Sequence, residues 1–235
     1  MTDFVVVIPA RYASTRLPGK PLRDINGKPM LQHVFERGVE SGASDVIVAT
    51  DDQRIADAAE AFGATVCMTR DDHQSGTDRI AEVSDIFDWD DAQVVVNLQG
   101  DEPAMPAALL GQCAALLDEP QADIATLASP LASESDRDNP NVVKAILDDA
   151  GYALYFTRAP VPCALHHHGL YAYRVGVLRR IVAAQQSKLE IAERLEQLRA
   201  LSMGLKIRVA IPDVRPGAGV DTEEDLQAAA RELQK

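Results

Sequence analysis

The sequence predicts an α/β domain: a central, mostly parallel, mixed sheet with helices on both faces, plus a small C-terminal subdomain. Three observations predict it. Short β-branched runs alternate with amphipathic segments through the first 150 residues. Those runs are continuously apolar, which suits strands covered on both faces. After about residue 150 the strands become aromatic-rich and the pattern changes.

Strands are expected at 4–8, 45–49, 65–68, 93–98, 124–128 and 142–147, and helices at 30–41, 53–62, 77–87 and 106–117. Pro106 suits a first helical position, where its missing N–H costs nothing. Strand and helix in alternation imply right-handed crossovers, with ligands beyond the carboxyl ends of the strands. Further on, strands are expected at 152–156, 169–173 and 206–210, and helices at 175–184, 189–201 and 222–233. This reads as one domain over residues 1–235. A core occupies about 1–150, a substrate-facing or dimer-forming part about 151–210, and 211–235 returns to the core.

Composition narrows the function. Lys and Arg number 23 against 36 Asp and Glu, a net charge of −13. Such a surface repels nucleic acid and anionic membranes, so an anionic ligand needs a small local group of cations, with or without a divalent metal. No run approaches a membrane span, and the N-terminus has neither a basic region nor a cleavage site, so a cytoplasmic protein is expected. Cys67, Cys113 and Cys163 stand far apart and are expected to be reduced thiols.

Four segments carry chemistry. Residues 9–20 place Arg11, Arg16 and Lys20 in one loop after the first strand. Backbone N–H groups and cations there suit phosphate oxygens, although neither the P-loop nor the dinucleotide glycine spacing is present. Gln99-Gly100-Asp101-Glu102-Pro103 ends a buried strand in an acidic pair, a usual place for a carboxylate that holds Mg²⁺. At 216–226 a glycine-rich loop enters a helix, where Asp221 with Glu224 or Thr222 with Asp225 fits a capping box. If Thr222 caps, Asp221 is left for metal. In residues 72–79, Ser75 or Thr77 can cap a helix, and the turn can read a base or ribose.

Together these segments, with Ala49-Thr50-Asp51-Asp52, Asn139-Pro140-Asn141 and Leu195-Glu196-Gln197-Leu198-Arg199, resemble the 3-deoxy-manno-octulosonate cytidylyltransferases (CMP-Kdo synthetases). The likeness is collinear and covers nearly the whole chain. It implies a Rossmann-like nucleotidyltransferase fold and the reaction CTP + Kdo → CMP-Kdo + pyrophosphate, for lipopolysaccharide biosynthesis, with Mg²⁺ as cofactor and a homodimer. By motif, CTP falls to Ala10, Arg11, Ser14, Arg16, Lys20, Gln74, Ser75, Gly76 and Arg79. Asp101 and Asp221 fall to the metal, with Lys20, Arg11 and Asp101 as the catalytic set. Gln99, Arg158, His167, Tyr171, Glu196 and Gln197 fall to the sugar.

The chain departs from the family at one place. Between Cys163 and His167 the family usually carries a loop of a couple of dozen residues, and here Ala164, Leu165 and His166 nearly fill the gap. Either the loop is shortened, or a mobile loop is left out of the sequence as written, the reading favoured here. His167 is the better register match to the family's substrate histidine, with His168 beside it. A zinc site on His166-His167-His168 is not expected, because consecutive residues diverge and no Cys or Asp stands at useful spacing. The rival readings are a CMP-sialic acid synthetase and a non-catalytic nucleotide-binding protein. The Leu195–Arg199 and Asn139–Asn141 motifs argue against the first, and retention of Asp101 and Asp221 against the second.

Overall fold

The computed structural model describes residues 2–13, 17–217 and 219–234. The strands are β1 (Phe4–Ala10), β2 (Asp24–Ile25), β3 (Lys28–Pro29), β4 (Asp45–Thr50), β5 (Thr65–Met68), β6 (Val94–Asn97), β7 (Ile124–Pro130), β8 (Lys144–Leu147), β9 (Ala153–Thr157), β10 (Leu165–Arg174) and β11 (Ile207–Ala210). The helices are α1 (Met30–Glu40), α2 (Gln53–Ala61), α3 (Gly76–Ile86), α4 (Ala108–Ala115), α5 (Glu134–Asp138), α6 (Val175–Ala183), α7 (Lys188–Glu193), α8 (Gln197–Ser202) and α9 (Glu223–Glu232).

The main sheet runs β5-β4-β1-β6-β10-β7-β11. Its pairings are parallel except around β10, which is antiparallel to both β6 and β7. All seven residues of β1 are buried, as their continuous apolar run requires. Because successive side chains alternate across a strand, Val6 and Ile8 face one layer with Leu31, Ile55 and Leu109. Val5 and Val7 face the other with Ile80, Leu178 and Leu198. From β1 the chain winds outward through β4 and β5, then crosses back to β6 on the other side of β1. That reversal makes the carboxyl ends of β1 and β6 the expected ligand crevice.

The C-terminal third joins the same sheet, with β10 inside it and β11 at its edge. Two expectations need correction. The helix expected at 189–201 is two short helices, broken where Arg194 takes a left-handed conformation (φ 55°). Finally, α4 begins two residues after Pro106, with the Leu109 N–H bonded back to the Pro106 carbonyl. The short connection after Arg158 closes directly: Cys163 turns at φ 54°, and the strand expected at 169–173 already begins at Leu165.

Candidate active site

Three distant segments meet beyond β1 and β6. Gly19, left-handed at φ 65°, a conformation glycine adopts without a Cβ clash, starts the turn that carries Lys20. Asp101 follows β6 through Gly100, where a Cβ would stand 2.9 Å from the Pro9 carbonyl oxygen. Asp221 is delivered by a small apolar cluster in which Val220 and Leu226 pack on Leu17, Ile25 and Met30. The Val220 N–H then bonds to the Asp101 carbonyl at 2.8 Å. Thr222 and Asp225 form the capping box of α9, which leaves Asp221 just outside the helix.

Lys20 Nζ donates to Asp101 Oδ2 at 2.7 Å, to the Val220 carbonyl at 3.0 Å and to Asp221 Oδ1 at 3.2 Å. Burial alone would lower the Lys20 pKa, but the two carboxylates outweigh it and hold it above the ordinary lysine value. Glu102 next to them is pushed up to about 8, first by burial and then by the charges of Asp101 and Asp221. Both effects favour its protonated form.

Lys20, Asp101 and Asp221 edge a cleft of about 440 Å³, also lined by Ala10, Arg11, Gln74, Ser75 and Gln99. The volume suits a nucleotide. A deeper pocket of about 90 Å³ is lined by Thr77, Asn97, Tyr171, Tyr173, Glu196 and Gln197. Gly76 and Gln99 line both. A Cβ on Gly76 would stand 3.3 Å from Pro9 and 3.6 Å from Gln99 Nε2, so a larger residue would narrow the passage between them. Ser75 caps α3 in a capping box with Asp78, and its hydroxyl also donates to Glu196 Oε1 at 3.1 Å. Burial raises the Glu196 pKa, opposed by hydrogen bonds from Thr77 and Ser75.

Several expected residues lie elsewhere. Arg79 is fully buried and faces neither cavity: it pairs with Asp51 at 2.9 Å and with the Thr69 hydroxyl. Its guanidinium thus stiffens the ends of β4 and β5. Arg158 is tied to the Pro140 carbonyl at 2.9 Å and to Glu193, away from the deep pocket. His167 is buried against Phe156, its ring nitrogen 3.1 Å from the Thr126 hydroxyl, and it supports Tyr171 from behind. Ser14 and Arg16 fall outside the described residues. The sequence reading missed Thr77, Tyr173 and Asn97 as pocket residues. Asn97, a buried amide ending a valine strand, carried the clearest signal.

Among the described residues, no three His, Cys, Asp or Glu side chains are arranged to hold a metal alone. Two carboxylates 2.7 and 3.2 Å from one ammonium nevertheless fit a divalent cation that brings further oxygen ligands with it. Mg²⁺ behaves this way, with one or two carboxylates, waters and substrate phosphates.

A cationic loop and a carboxylate pair at the switch point of a mostly parallel sheet, beside a second pocket, define an α/β nucleotidyltransferase. A cytidylyltransferase family model matches residues 5–207, and the chain belongs to that family. It is 42% identical to a solved CMP:2-keto-3-deoxy-manno-octonic acid synthetase complexed with CTP, with a TM-score of 0.92 over 99% of this chain and 98% of that one. Two more distant structures share the fold alone. One is a cytidylyltransferase from Leptospira borgpetersenii serovar Hardjo-bovis (16% identity, TM-score 0.67, 100% of this chain and 87% of that one). The other is a 4-diphosphocytidyl-2C-methyl-D-erythritol synthase from Anaerococcus prevotii (14%, 0.66, 99% and 97%).

Proposed function

We propose that this enzyme transfers the cytidylyl group of CTP to Kdo, giving CMP-Kdo and pyrophosphate. The observation that carries the reading is the meeting of a nucleotide-sized cleft and a smaller polar pocket at Gly76 and Gln99, where two substrates would be joined. The 42% identity along the full length to a synthetase of that sugar supports it.

In this reading Ala10, Arg11 and Lys20 hold the triphosphate, and Gln74, Ser75 and Gly76 receive the cytidine. Gln99, Tyr171, Glu196 and Gln197 orient the sugar, with His167 acting through Tyr171. The anomeric hydroxyl of the sugar attacks the α-phosphorus in line and gives up its proton to solvent; one P–O bond forms, and the bond to pyrophosphate breaks. Such displacements depend on positioning and charge neutralisation. Arg11 and Lys20 stabilise the charge that builds on the departing pyrophosphate. Mg²⁺ on Asp101 and Asp221 would supply a Lewis acid that polarises the phosphate.

The division of labour follows the chain. Residues before 150 supply the nucleotide cleft, 151–210 most of the sugar side, and 211–235 return Asp221. A homodimer through the C-terminal third belongs to the same reading, supported by the exposed apolar side chains Leu154, Ile211 and Val214. Among the described residues no helix is long and apolar enough to cross a membrane. Pyrophosphate release from CTP, measured with Kdo and with N-acetylneuraminate in turn, tests the assignment. Turnover with Kdo is expected, and turnover with the sialic acid alone would overturn it.

A further inference from the structure

The proposed role of Lys20 conflicts with its hydrogen bonds. An ammonium has three N–H donors, and all three are committed, to Asp101, Asp221 and the Val220 carbonyl. None is left for a phosphate. To reach a triphosphate Lys20 must leave the carboxylates, and two facing carboxylates then lose their shared counter-charge. A divalent cation entering by itself meets the converse problem: it must expel an ammonium that has no phosphate to go to.

We infer that Lys20 is a resident counter-ion shared by Asp101 and Asp221, and that it exchanges with a divalent cation only when a triphosphate arrives to receive it. The inference rests on the reading of Asp101 and Asp221 as metal ligands. Cation and nucleotide binding are then coupled, and the coupling is reciprocal: each ligand raises the affinity for the other by the same factor. In the cleft the cations Arg11 and Lys20 stand against the carboxylates Asp101 and Asp221, within a strongly acidic chain. Without Lys20 in place, the carboxylate pair would attract divalent cations in the absence of substrate.

The geometry restricts the exchange to one side chain. The Val220 N–H bonds to the Asp101 carbonyl and the Asp221 N–H to Asp225 Oδ2, so the backbone that carries the acceptors is tied down. Lys20 starts a short turn and carries its ammonium on a flexible four-carbon stem, so the exchange is assigned to its side chain.

The test is direct binding of Mn²⁺ to the nucleotide-free protein by calorimetry, alongside the affinity for CTP with and without Mn²⁺. Wild type should bind Mn²⁺ weakly alone, and CTP and Mn²⁺ should each tighten the other about tenfold or more. Lys20→Met should bind Mn²⁺ alone about tenfold more tightly, with the mutual effect of CTP and Mn²⁺ reduced. Its melting temperature should fall and be restored by Mn²⁺, because the cation replaces the missing ammonium. Arg11→Met removes a charge from the same cleft without emptying the carboxylate pair and should leave Mn²⁺ affinity within about threefold. The inference is overturned if Lys20→Met and Lys20→Gln, both folded by circular dichroism, bind Mn²⁺ no better than wild type, or if Arg11→Met tightens it equally. If Asp101→Asn/Asp221→Asn keeps the full Mn²⁺ effect on CTP, the metal-ligand reading itself fails, and the exchange with it.

Discussion

The Ser75 hydroxyl donates to Glu196 Oε1 at 3.1 Å, across 121 residues of sequence. One side chain therefore caps α3, lines the nucleotide cleft and fixes a wall of the second pocket. Its removal should be felt on both sides. Ser75→Ala should cost about 1 kcal/mol of stability through the lost cap, and should raise KM for both CTP and the sugar. Steady-state kinetics with each substrate varied in turn checks this. A change confined to CTP would mean that the bond to Glu196 has no role in holding the sugar side.

The loop between β5 and α3 is pinned by Glu82. Its Oε2 accepts from the Arg70 N–H at 3.0 Å and bonds to the His73 ring. The adjoining residues Gln74 and Ser75 line the cleft. Glu82→Ala should raise KM for CTP by about tenfold, equivalent to about 1.4 kcal/mol, with kcat changed less than about threefold. A fall in kcat at unchanged KM would place the role of Glu82 in the chemistry instead.

His167 and His168 make stability depend on pH. Burial, then the neighbouring histidine charges, push their pKa values down to about 3 and about 4. In the unfolded chain both titrate near the ordinary 6.5. As pH falls below that value the unfolded state binds protons that the folded state refuses, so stability declines by about 1.4 kcal/mol per pH unit for each ring. Glu102, with its raised pKa, acts in the opposite sense over the same window. The comparison with a variant isolates the histidines: His168→Gln should flatten the decline between pH 7 and 5 by about 1 kcal/mol per unit on average, read from urea midpoints. An unchanged slope would show that the ring titrates normally in the folded protein.

The sequence made the nucleotide half of the molecule legible because its signals are local. Strands β1, β4, β5 and β6 are short, largely apolar runs, and the caps at Ser75 and Thr222 obey their own short-range chemistry. The other half depends on distant contacts. Residues 165–168 contain three histidines and resemble a loop, yet they form a strand because Thr126 and Ser129 of β7 supply partners for His167 and His168. The left-handed turn at Arg194 that splits the expected helix has no residue-type signature, as no glycine or asparagine marks it. Arg79 looks like a ligand residue in its motif. Only the fold reveals that Asp51, at the end of a neighbouring strand, has already taken it. Tyr173 enters the pocket because β10 is laid against β6, a pairing no local pattern announces.

The central claim is that the Asp101 carboxylate, just beyond β6, is part of a metal-assisted transfer site. Turnover of Asp101→Asn at saturating Mg²⁺, CTP and Kdo tests it most directly, because the substitution keeps the shape of the side chain and removes its charge. A loss of kcat of about a thousandfold is expected, of the order seen when a preorganised electrostatic group is removed from an active site. Near-normal turnover would contradict the account.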